Sequence, residues 1–444
     1  MLESDISDEL HAHVVIIGAG PAGLAAATVA SSAGLAVLLL DAAPVPGGQI
    51  WRARQGVAAE PVARALARLA SAGVRVLSGT RVVMALPGRV LLIDGPQGAR
   101  RLRWNRLILA TGARERLLPF PGWTLPGVFG AGGLQALVKG GWPIRGRRVV
   151  VAGTGPLLLA AAATLRREEA QVVGLVEEAR TAALARFAGT LAAHPRKGLQ
   201  ALRLGASLRG VPLIAGTRVV AAEGDGRVER VELEGEGGKT RPIACDALAA
   251  GWGLIPQTEL AQSLGCALAP RFGAPAIAVD AQQRTSVDGV WAVGECTGIA
   301  GAAAAQLQGE AAAHAIVDDD VPSDPPARPS RQLAREHAFA AAVAATFAPP
   351  DDWAARLRDD TLVCRCEDVP WSVLREHADL RSAKLATRCG MGHCQGRLCH
   401  DTLAAVMHWP RLLARPPLSP APLATLLAVL DNSPEPPSTK EPST

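Results

Sequence analysis

The stretch HVVIIGAGPAGLAAATVASSAGLAVLLLD, residues 13–41, decides the fold. An apolar strand, a glycine-rich turn, a small-residue helix and a second apolar strand follow one another in the order of a dinucleotide-binding unit. The first glycine allows a tight bend, the second lets a pyrophosphate approach the backbone, and the third lets the helix pack closely on the strand. The helix N-terminus offers free N–H groups to the phosphates, and an acid at the end of the second strand can accept both ribose hydroxyls. The predicted binding residues are Gly18, Gly20, Pro21, Ala22, Gly23 and Asp41.

A second unit of the same kind occupies residues 148–177. Its turn is damaged, because Gly153 and Gly155 are kept but Leu158 stands where the third glycine belongs. Leu158 is expected to push the helix away from the strand and to widen the turn. Glu177 has the place of the ribose-binding acid and would repel a 2′-phosphate, so NADP is not expected. NAD, another adenine nucleotide such as ATP, and no ligand at all remain open for this site.

Composition narrows the class of protein. Hydrophobic residues make up 49% of the 444 residues, charged residues 20%, and the net charge is only +5. Such a chain is neither disordered nor a nucleic-acid-coating protein, and the absence of Tyr argues against a stacking surface for single strands. The acidic N-terminus is not expected to be a secretory signal, and the longest apolar stretch, 149–165, is broken by Gly-Thr-Gly-Pro, so no transmembrane segment is expected. We therefore predict a cytoplasmic protein with reduced thiols.

Three motifs in order resemble the two-dinucleotide-binding-domain flavoproteins, a family that includes thioredoxin reductase. They are the first glycine turn, ATG at 110–112, and Val293-Gly294-Glu295, and the resemblance covers roughly residues 13–318. It implies an α/β fold with two Rossmann-like domains and FAD at the first turn. The late strand would hold the ribityl and phosphate region, and Gly47-Gly48-Gln49 would run beside the isoalloxazine. The residues that this resemblance adds to the FAD site are Gly48, Gln49, Thr111, Gly112, Gly294 and Glu295.

The disulfide reductases of this family carry a redox-active C-x-x-C or C-x4-C near the flavin. The first 363 residues of this chain contain neither pattern. Cys245, Cys266 and Cys296 are isolated in sequence and are interpreted as small buried core residues. Disulfide reduction is therefore not the expected activity.

Five of the eight cysteines lie in CRCEDV (364–369) and TRCGMGHCQGRLC (387–399). C-x-C and C-x4-C can present four thiolates to one metal centre, and four thiolates suit a [2Fe–2S] cluster or zinc. Spacing alone leaves both open. A group that passes single electrons is useful beside a flavin, whereas zinc is redox-inert, and this favours the cluster.

The pattern CRCE…TRCGMGxCQGRxC resembles the bacterioferritin-associated-ferredoxin-like [2Fe–2S] module. More narrowly, it resembles the version fused to the α subunits of heteromeric amino- and imino-acid dehydrogenases. This group includes the A subunit of opine oxidase, the B subunit of hydrogen cyanide synthase and the α subunits of proline and hydroxyproline dehydrogenases. PFPGWTLPGVFGAGGLQALVKGG (119–141) and RPPLSP (415–420) extend the resemblance over nearly the whole chain. It implies that the cluster ligands are Cys364, Cys366, Cys394 and Cys399.

Two further residues keep this ligand set open. Cys389 is a fifth thiol, which could replace Cys394 or be a buried neighbour. His393 could also ligate iron, as histidine does in Rieske centres, although a packing or solvent-facing role is the simpler interpretation.

The resemblance implies an electron-handling subunit. A separate FAD-bearing β subunit resembling D-amino-acid oxidase would oxidise an amino or imino acid of the proline, hydroxyproline, opine or glycine class, with a small third subunit left open. Electrons would pass through flavin and cluster to a quinone or dye, and the complex could lie on the inner face of the membrane. We accordingly name no catalytic residue in this chain. Two alternatives are a stand-alone NADH-dependent FAD/[2Fe–2S] reductase, against which Leu158 counts, and a scaffold with structural zinc.

These interpretations divide the chain into segments. The C-terminal module is expected to be small and rich in helix, and the closing stretch has the composition of a disordered tail. The predicted segments are residues 1–125 (FAD-binding domain, first part), 126–245 (second nucleotide-binding domain), 246–320 (FAD-binding domain, second part), 321–350 (linker and helix), 351–415 ([2Fe–2S] domain) and 416–444 (proline-rich tail).

Overall fold

A computed structural model describes residues 9–320 and 330–427 of the chain. Residues 321–329 of the predicted linker and residues 428–444 of the predicted tail lie outside these ranges. The elements of the first part are β1 (Leu10–Ile17), α1 (Pro21–Ser32), β2 (Val37–Asp41), α2 (Glu60–Ser71), β3 (Arg75–Ser78), β4 (Arg81–Leu86), β5 (Val90–Gly95), β6 (Gly98–Leu109) and β7 (Ala113–Glu115).

The elements of the middle part are β8 (Val128–Gly130), α3 (Ala131–Lys139), β9 (Arg148–Gly153), α4 (Pro156–Arg167), β10 (Gln171–Glu177), α5 (Thr181–Thr190), α6 (Pro195–Ser207), β11 (Leu213–Ala215), β12 (Arg218–Glu223), β13 (Arg230–Glu234), β14 (Thr240–Ala244) and β15 (Ala247–Gly251). Those of the last part are β16 (Leu254–Pro256), α7 (Glu259–Ser263), β17 (Leu268–Arg271), β18 (Ala274–Ile277), β19 (Val290–Ala292), α8 (Ala302–Asp320), α9 (Arg331–Thr346), β20 (Leu362–Cys364), β21 (Val369–Pro370), α10 (Trp371–Leu374), α11 (Leu380–Thr387), α12 (Cys399–Val406) and α13 (Leu423–Leu427).

The first sheet positions the first glycine turn. β1 lies at its centre, parallel to β2 on one side and to β6 on the other, in the order β3-β2-β1-β6-β5-β4. β19, from late in the chain, pairs in parallel with the end of β6. Alternate residues of β1 face two different cores, so that Val15 and Ile17 pack on one side while Val14 and Ile16 pack under α1 and α8. The carboxyl ends of β1, β2, β6 and β19 meet at one edge, which is where such sheets bind ligands.

The second sheet repeats the arrangement around the damaged turn. Its strand order is β11-β10-β9-β15-β8, and all of its pairs are parallel. Beside it, β12, β13 and β14 form an antiparallel sheet. The strands and helix predicted within 148–177 are therefore confirmed.

The last part of the chain forms a small unit with its own core. Its buried residues include Val363, Trp371, Leu374 and Leu403. Apart from the short pair β20 and β21, its regular elements are helices. The preceding helix, α9, packs against both α5 and α8. It therefore contacts one helix from the part of the chain around the second sheet and one from the part around the first.

The predicted α/β fold with two Rossmann-like sheets and a small helical C-terminal unit is confirmed. The alanine-rich stretch that follows β19 forms the long helix α8, which continues to Asp320. The limits of the segments remain a prediction. Within residues 9–320 and 330–427, none of the helices combines the length and the apolarity needed to cross a membrane.

Candidate flavin, nucleotide and thiolate sites

The first glycine turn contains close contacts that only glycine permits. Gly18 has a φ of +106°, and a Cβ built on it would lie 2.3 Å from the carbonyl oxygen of Ala110, the residue that follows β6. A Cβ on Gly23 would lie 1.8 Å from the Gly18 carbonyl oxygen. Pro21 is the first residue of α1, where its missing N–H is no loss. The start of α1 is therefore held tightly against the end of β1.

Asp41 closes the turn from the end of β2. Its Oδ2 accepts a hydrogen bond from the N–H of Ala19 at 2.6 Å, and its Oδ1 accepts one from the N–H of Ala43 at 2.8 Å. Burial raises the pKa of Asp41, and these two N–H groups and the charge of Arg52 act against that rise. The carboxylate lies where the sequence predicted a ribose-binding acid.

The open side of this turn is a cradle that a side chain would fill. A Cβ on Gly48 would lie 3.0 Å from the Cα of Gly20, and a Cβ on Gly294 would lie 3.0 Å from the Cβ of Ala22. The loop at 47–49, the start of α1 and the end of β19 thus approach one another with almost no side chain between them. This edge fits an extended dinucleotide whose pyrophosphate lies on the helix N-terminus.

Of the other residues predicted to bind FAD, Thr111, Gly112 and Glu295 lie at strand ends, whereas Gln49 is exposed to solvent. The hydroxyl of Thr111 donates to the carbonyl of Gln257 at 2.9 Å, and the N–H of Gln257 donates to the carbonyl of Gly112 at 3.0 Å. Burial raises the pKa of Glu295, which follows β19. The structure therefore brings Thr111, Gly112 and Glu295 to the carboxyl ends of adjacent strands. Gln49, in contrast, has an exposed side chain.

The second glycine turn satisfies its acid internally. Glu177 accepts hydrogen bonds from the hydroxyl of Thr154 at 2.6 Å, from the N–H of Gly155 at 2.9 Å and from the N–H of Ala179 at 2.9 Å. Burial raises the pKa of Glu177, and these bonds act against that rise. The carboxylate is thus engaged by the turn itself.

The chain also fills the open side of the second turn. A Cβ on Gly155 would lie 3.7 Å from the Cβ of Phe347, the residue after α9. The ring of Phe347 meets that of Phe187 edge-on, with centroids 5.1 Å apart. At the corresponding position of the first turn, a Cβ on Gly20 would find only the Cα of Gly48, at 3.8 Å. An aromatic side chain is therefore in van der Waals range of Gly155, the turn glycine whose backbone a pyrophosphate would approach.

Leu158 is buried at the start of α4, with 1% of its surface exposed. Its Cδ2 lies 3.8 Å from where a Cβ on Gly251 would be, so the glycine leaves space for it. At the equivalent position of the first turn, a Cβ would meet a carbonyl oxygen at 1.8 Å. The two turns therefore cannot share one backbone geometry.

The three isolated thiols and the ring of His194, the residue before α6, pack against other residues of the fold. Cys245, Cys266 and Cys296 are buried, which confirms their interpretation as core residues. Burial raises the pKa of Cys245 and of Cys296 to about 11, and such thiols are poor nucleophiles at neutral pH. The ring of His194 packs against that of Phe339, with centroids 5.1 Å apart.

Three of the five C-terminal thiols form a buried group. The Sγ atoms of Cys364, Cys389 and Cys399 lie within 4.8 Å of one another. Cys364 ends β20, Cys389 follows α11, and Cys399 begins α12, so three elements converge on the group. Hydrogen bonds from the thiols of Cys389 and Cys399 hold the pKa of Cys364 well below its ordinary value.

Cys366 and Cys394 form a second, more exposed pair. Cys366 is exposed and Cys394 is half-buried. Burial raises the pKa of Cys366, and the neighbouring Cys394 also acts on it, so the two thiols lie side by side. A Cβ on Gly392 would lie 2.4 Å from the Cβ of Cys366, so glycine is what lets this loop close over Cys366. The four predicted ligands share one region, and the fifth thiol belongs to its most tightly packed part.

A charge network joins this region to the strand ends that carry Thr111, Gly112 and Glu295, which we call the flavin edge. Arg114, two residues beyond Gly112, donates to Oε1 of Glu259 at 2.7 Å and also to Oδ2 of Asp401. Asp401 is two residues beyond Cys399. The side chains of Arg114 and Asp401 are only 19% and 11% exposed, so the pair is largely shielded from water. Gly112 and Cys399 are each two residues away from the same ion pair.

Two tryptophans add further contacts between the C-terminal part and the rest of the chain. The indole N–H of Trp123 donates to the carbonyl of Leu362 at 2.6 Å, and that of Trp353 donates to the carbonyl of Pro119 at 2.8 Å. The motif at 119–141 therefore contributes docking contacts, a role that its sequence did not reveal. Sequence reasoning also missed Arg114, Asp401 and Trp353, because nothing local indicates partners more than 200 positions away.

Comparison with known proteins agrees with this geometry. Residues 12–309 match the pyridine nucleotide-disulphide oxidoreductase family. Hydrogen cyanide synthase subunit HcnB of Pseudomonas aeruginosa is 33% identical over 87% of this chain and 90% of its own length. The A subunit of opine oxidase from Rhizobium meliloti is 32% identical over 93% of this chain and 86% of its own length.

Solved structures have the same fold. L-proline dehydrogenase from P. horikoshii aligns with a TM-score of 0.70 at 22% identity, over 94% of this chain and 80% of that one. Thioredoxin reductase from T. acidophilum aligns with a TM-score of 0.55 at 26% identity, over 70% of this chain and 100% of that one. The latter alignment leaves out nearly a third of this chain.

The chain therefore belongs to the pyridine nucleotide-disulphide oxidoreductase family and is an FAD-dependent oxidoreductase. Within that family it belongs to the group that contains HcnB of hydrogen cyanide synthase and the A subunit of opine oxidase. The predicted resemblance to this group is confirmed.

Proposed function

We propose that the chain is the flavin- and [2Fe–2S]-bearing α subunit of a heteromeric dye-linked dehydrogenase that oxidises the C–N bond of an amino or imino acid of the proline, hydroxyproline, opine or glycine class. The observation that carries the proposal is the ion pair between Arg114 and Asp401, which holds the cysteine-rich unit against the flavin edge. Relatives named as subunits of hydrogen cyanide synthase and opine oxidase support a heteromeric assembly.

When bound, FAD accepts electrons in pairs and a [2Fe–2S] cluster passes them on singly. In the proposed function, the residues of this chain would hold these two groups in neighbouring parts of the fold. The N-terminus of α1 and Asp41 would orient the dinucleotide, with Thr111, Gly112, Gly294 and Glu295 along the neighbouring strand ends. We propose Cys364 and Cys399 as ligands of one iron and Cys366 and Cys394 as ligands of the other, because Cys364 and Cys399 belong to the buried group of three thiols and Cys366 lies beside Cys394.

The partner would supply the substrate chemistry. We propose an FAD-containing β subunit resembling D-amino-acid oxidase, with a quinone or dye as final acceptor and no nucleic acid. A small third subunit would complete the assembly in some of these enzymes. We further propose a cytoplasmic location, with the complex on the inner face of the membrane.

The contacts of the second glycine turn support electron entry from the partner rather than from NADH. The side chain of Phe347 lies beside Gly155, whereas the first turn has no side chain at the corresponding glycine. We propose that Gly153, Gly155 and Glu177 now serve the fold, and that NAD or ATP could enter only if Phe347 moved. A stand-alone NADH-dependent reductase is the alternative, and it requires an open turn.

The proposal is tested by a visible spectrum of the purified chain with iron and zinc analysis, repeated after NADH is added. We expect flavin bands with a broad iron–sulfur shoulder, about two irons per chain, and no rapid bleaching by NADH. Rapid bleaching would make the chain a reductase in its own right. Zinc in place of iron would remove the electron-relay role.

The substitution Phe347→Ala is expected to create measurable NADH binding where the wild-type chain has almost none. Removing the ring uncovers the face of Gly155, and we expect affinity to rise at least about tenfold, which is about 1.4 kcal/mol. Energy transfer from tryptophan to bound NADH measures it. Phe272→Ala, an aromatic truncation beside His337, is the control. Unchanged affinity in a Phe347→Ala variant that keeps its FAD would show that Phe347 does not block the turn.

A further inference from the structure

Cys389 is a fifth thiol where the proposed cluster needs four, and any role in ligation depends on that cluster. Its side chain is completely buried, and its Sγ lies within 4.8 Å of the Sγ atoms of both Cys364 and Cys399. Its N–H donates to the hydroxyl of Thr387 at 3.1 Å, just beyond the end of α11. Two thiolates on one tetrahedral metal centre, each at about 2.3 Å, are about 3.8 Å apart. Cys389 is therefore within ligand range of whichever iron Cys364 and Cys399 hold.

The loop that carries Cys389 is fixed relative to Cys399. His400, which follows Cys399, lies between two glycines of the loop: a Cβ on Gly390 would come within 1.8 Å of its ring and a Cβ on Gly396 within 2.4 Å. The loop thus wraps around this ring without room for a side chain. The position of Cys389 is a consequence of this packing and does not require a cation to draw the thiols together.

The more exposed pair, Cys366 and Cys394, differs from the buried group in its neighbouring ligand atoms. Among residues 9–320 and 330–427, no group of three His, Cys, Asp or Glu ligand atoms within 4.8 Å of one another includes Cys366 or Cys394. The two halves of the proposed cluster therefore differ. One iron would have a third thiol beside its two ligands, and the other would have only two.

We propose that Cys389 is an interchangeable ligand of the buried iron, able to replace Cys364 or Cys399 but neither Cys366 nor Cys394. In the exchange, the bond from iron to the sulfur of Cys399 breaks and a bond from iron to the sulfur of Cys389 forms. Cys389 gives up its proton and Cys399 takes one up, so that charge is conserved and no electron is transferred. The cluster would thus survive chemical damage to either buried ligand.

The test compares iron content and the electron paramagnetic resonance of the dithionite-reduced full-length chain in four alanine variants. We expect Cys389→Ala to match the wild type. We expect Cys399→Ala to keep about two irons per chain with shifted g values, because a different cysteine geometry surrounds the buried iron. The double variant of Cys389 and Cys399 should lose its iron, and Cys366→Ala should lose it even though Cys389 is present. FAD content reports that each variant is folded.

Two results would overturn the proposal. Loss of iron in Cys399→Ala to the same extent as in Cys366→Ala would show that Cys389 only fills space, as buried cysteines often do. Loss of iron in Cys389→Ala would make it an obligatory ligand instead. If Cys399→Ala does not retain FAD, Cys399→Ser replaces it, with and without Cys389→Ala to separate ligation by serine from ligation by Cys389. A wild-type chain without iron would instead refute the proposed cluster itself.

Discussion

Replacing Gly23 with alanine is expected to abolish FAD binding, so that the chain is isolated without flavin colour. The added Cβ would lie 1.8 Å from the carbonyl oxygen of Gly18, a distance that no real contact reaches. Because the obstacle is backbone, α1 must move away from β1 and carry its N-terminal N–H groups away from the pyrophosphate. Absorbance at the flavin bands per mole of purified protein measures the effect.

A matched substitution separates this effect from a general loss of helix packing. Gly189 lies in α5, and a Cβ there would meet nothing within 4 Å. Gly189→Ala should leave flavin content unchanged and raise the free energy of unfolding by up to about 1 kcal/mol, since alanine is the better helix former. A Gly23→Ala chain that still contained stoichiometric FAD would refute the assignment of the first turn as the flavin site.

Replacing Asp401 with asparagine is expected to undock the cysteine-rich unit while leaving both cofactors bound. Asparagine keeps the shape of the side chain but removes the charge that pairs with both Arg114 and Arg411, so that Arg114 keeps only its pairing with Glu259. Removing one partner of a buried ion pair costs about 3 kcal/mol when the other charge is left uncompensated, and the cost is lower here because Glu259 still pairs with Arg114. After photoreduction of the flavin, bleaching of the cluster measures electron transfer from flavin to cluster. We expect this transfer to slow by at least about tenfold, because a destabilisation of the docked arrangement by about 1.4 kcal/mol already lowers its population by that factor.

The control for this substitution is an ion pair in the same unit that faces water. Asp359 pairs with Arg375 at 2.7 Å, and these side chains are 69% and 46% exposed. Such pairs contribute at most about 1 kcal/mol, so Asp359→Asn should change neither the transfer rate nor the cofactor content. Unaltered transfer in Asp401→Asn, with iron and FAD retained, would mean that this ion pair does not hold the two sites together.

The features that sequence predicted well depend on local backbone chemistry. The strand, turn, helix and strand at 13–41 follow from an apolar run and three glycines. In the structure Gly20 immediately precedes α1 and Asp41 ends β2, as the pattern predicts. The repeat at 148–177 was recognisable for the same reason, and Leu158 identified its departure from the pattern. Each of these signals lies within about 30 consecutive residues.

The features that sequence did not predict depend on contacts between distant segments. Phe347 follows an alanine-rich helix, and nothing near it indicates that its ring covers Gly155. Arg114 and Asp401 are ordinary charged residues until the fold brings them together across 287 positions. The pairing of the five thiols was likewise open, because spacing along the chain does not say which sulfur atoms face one another.

The late strand β19 has a consequence for how the protein matures on the ribosome. Because this strand completes the sheet beside β6, the flavin edge is unfinished until Glu295 has been synthesised, well after the first glycine turn. Cys399, the last thiol, follows Glu295 by 104 residues (399 − 295), which take roughly 5–20 s to translate at about 5–20 residues per second. Flavin can therefore be captured by the nascent chain before the last thiol exists, and insertion of iron into the proposed cluster would come later.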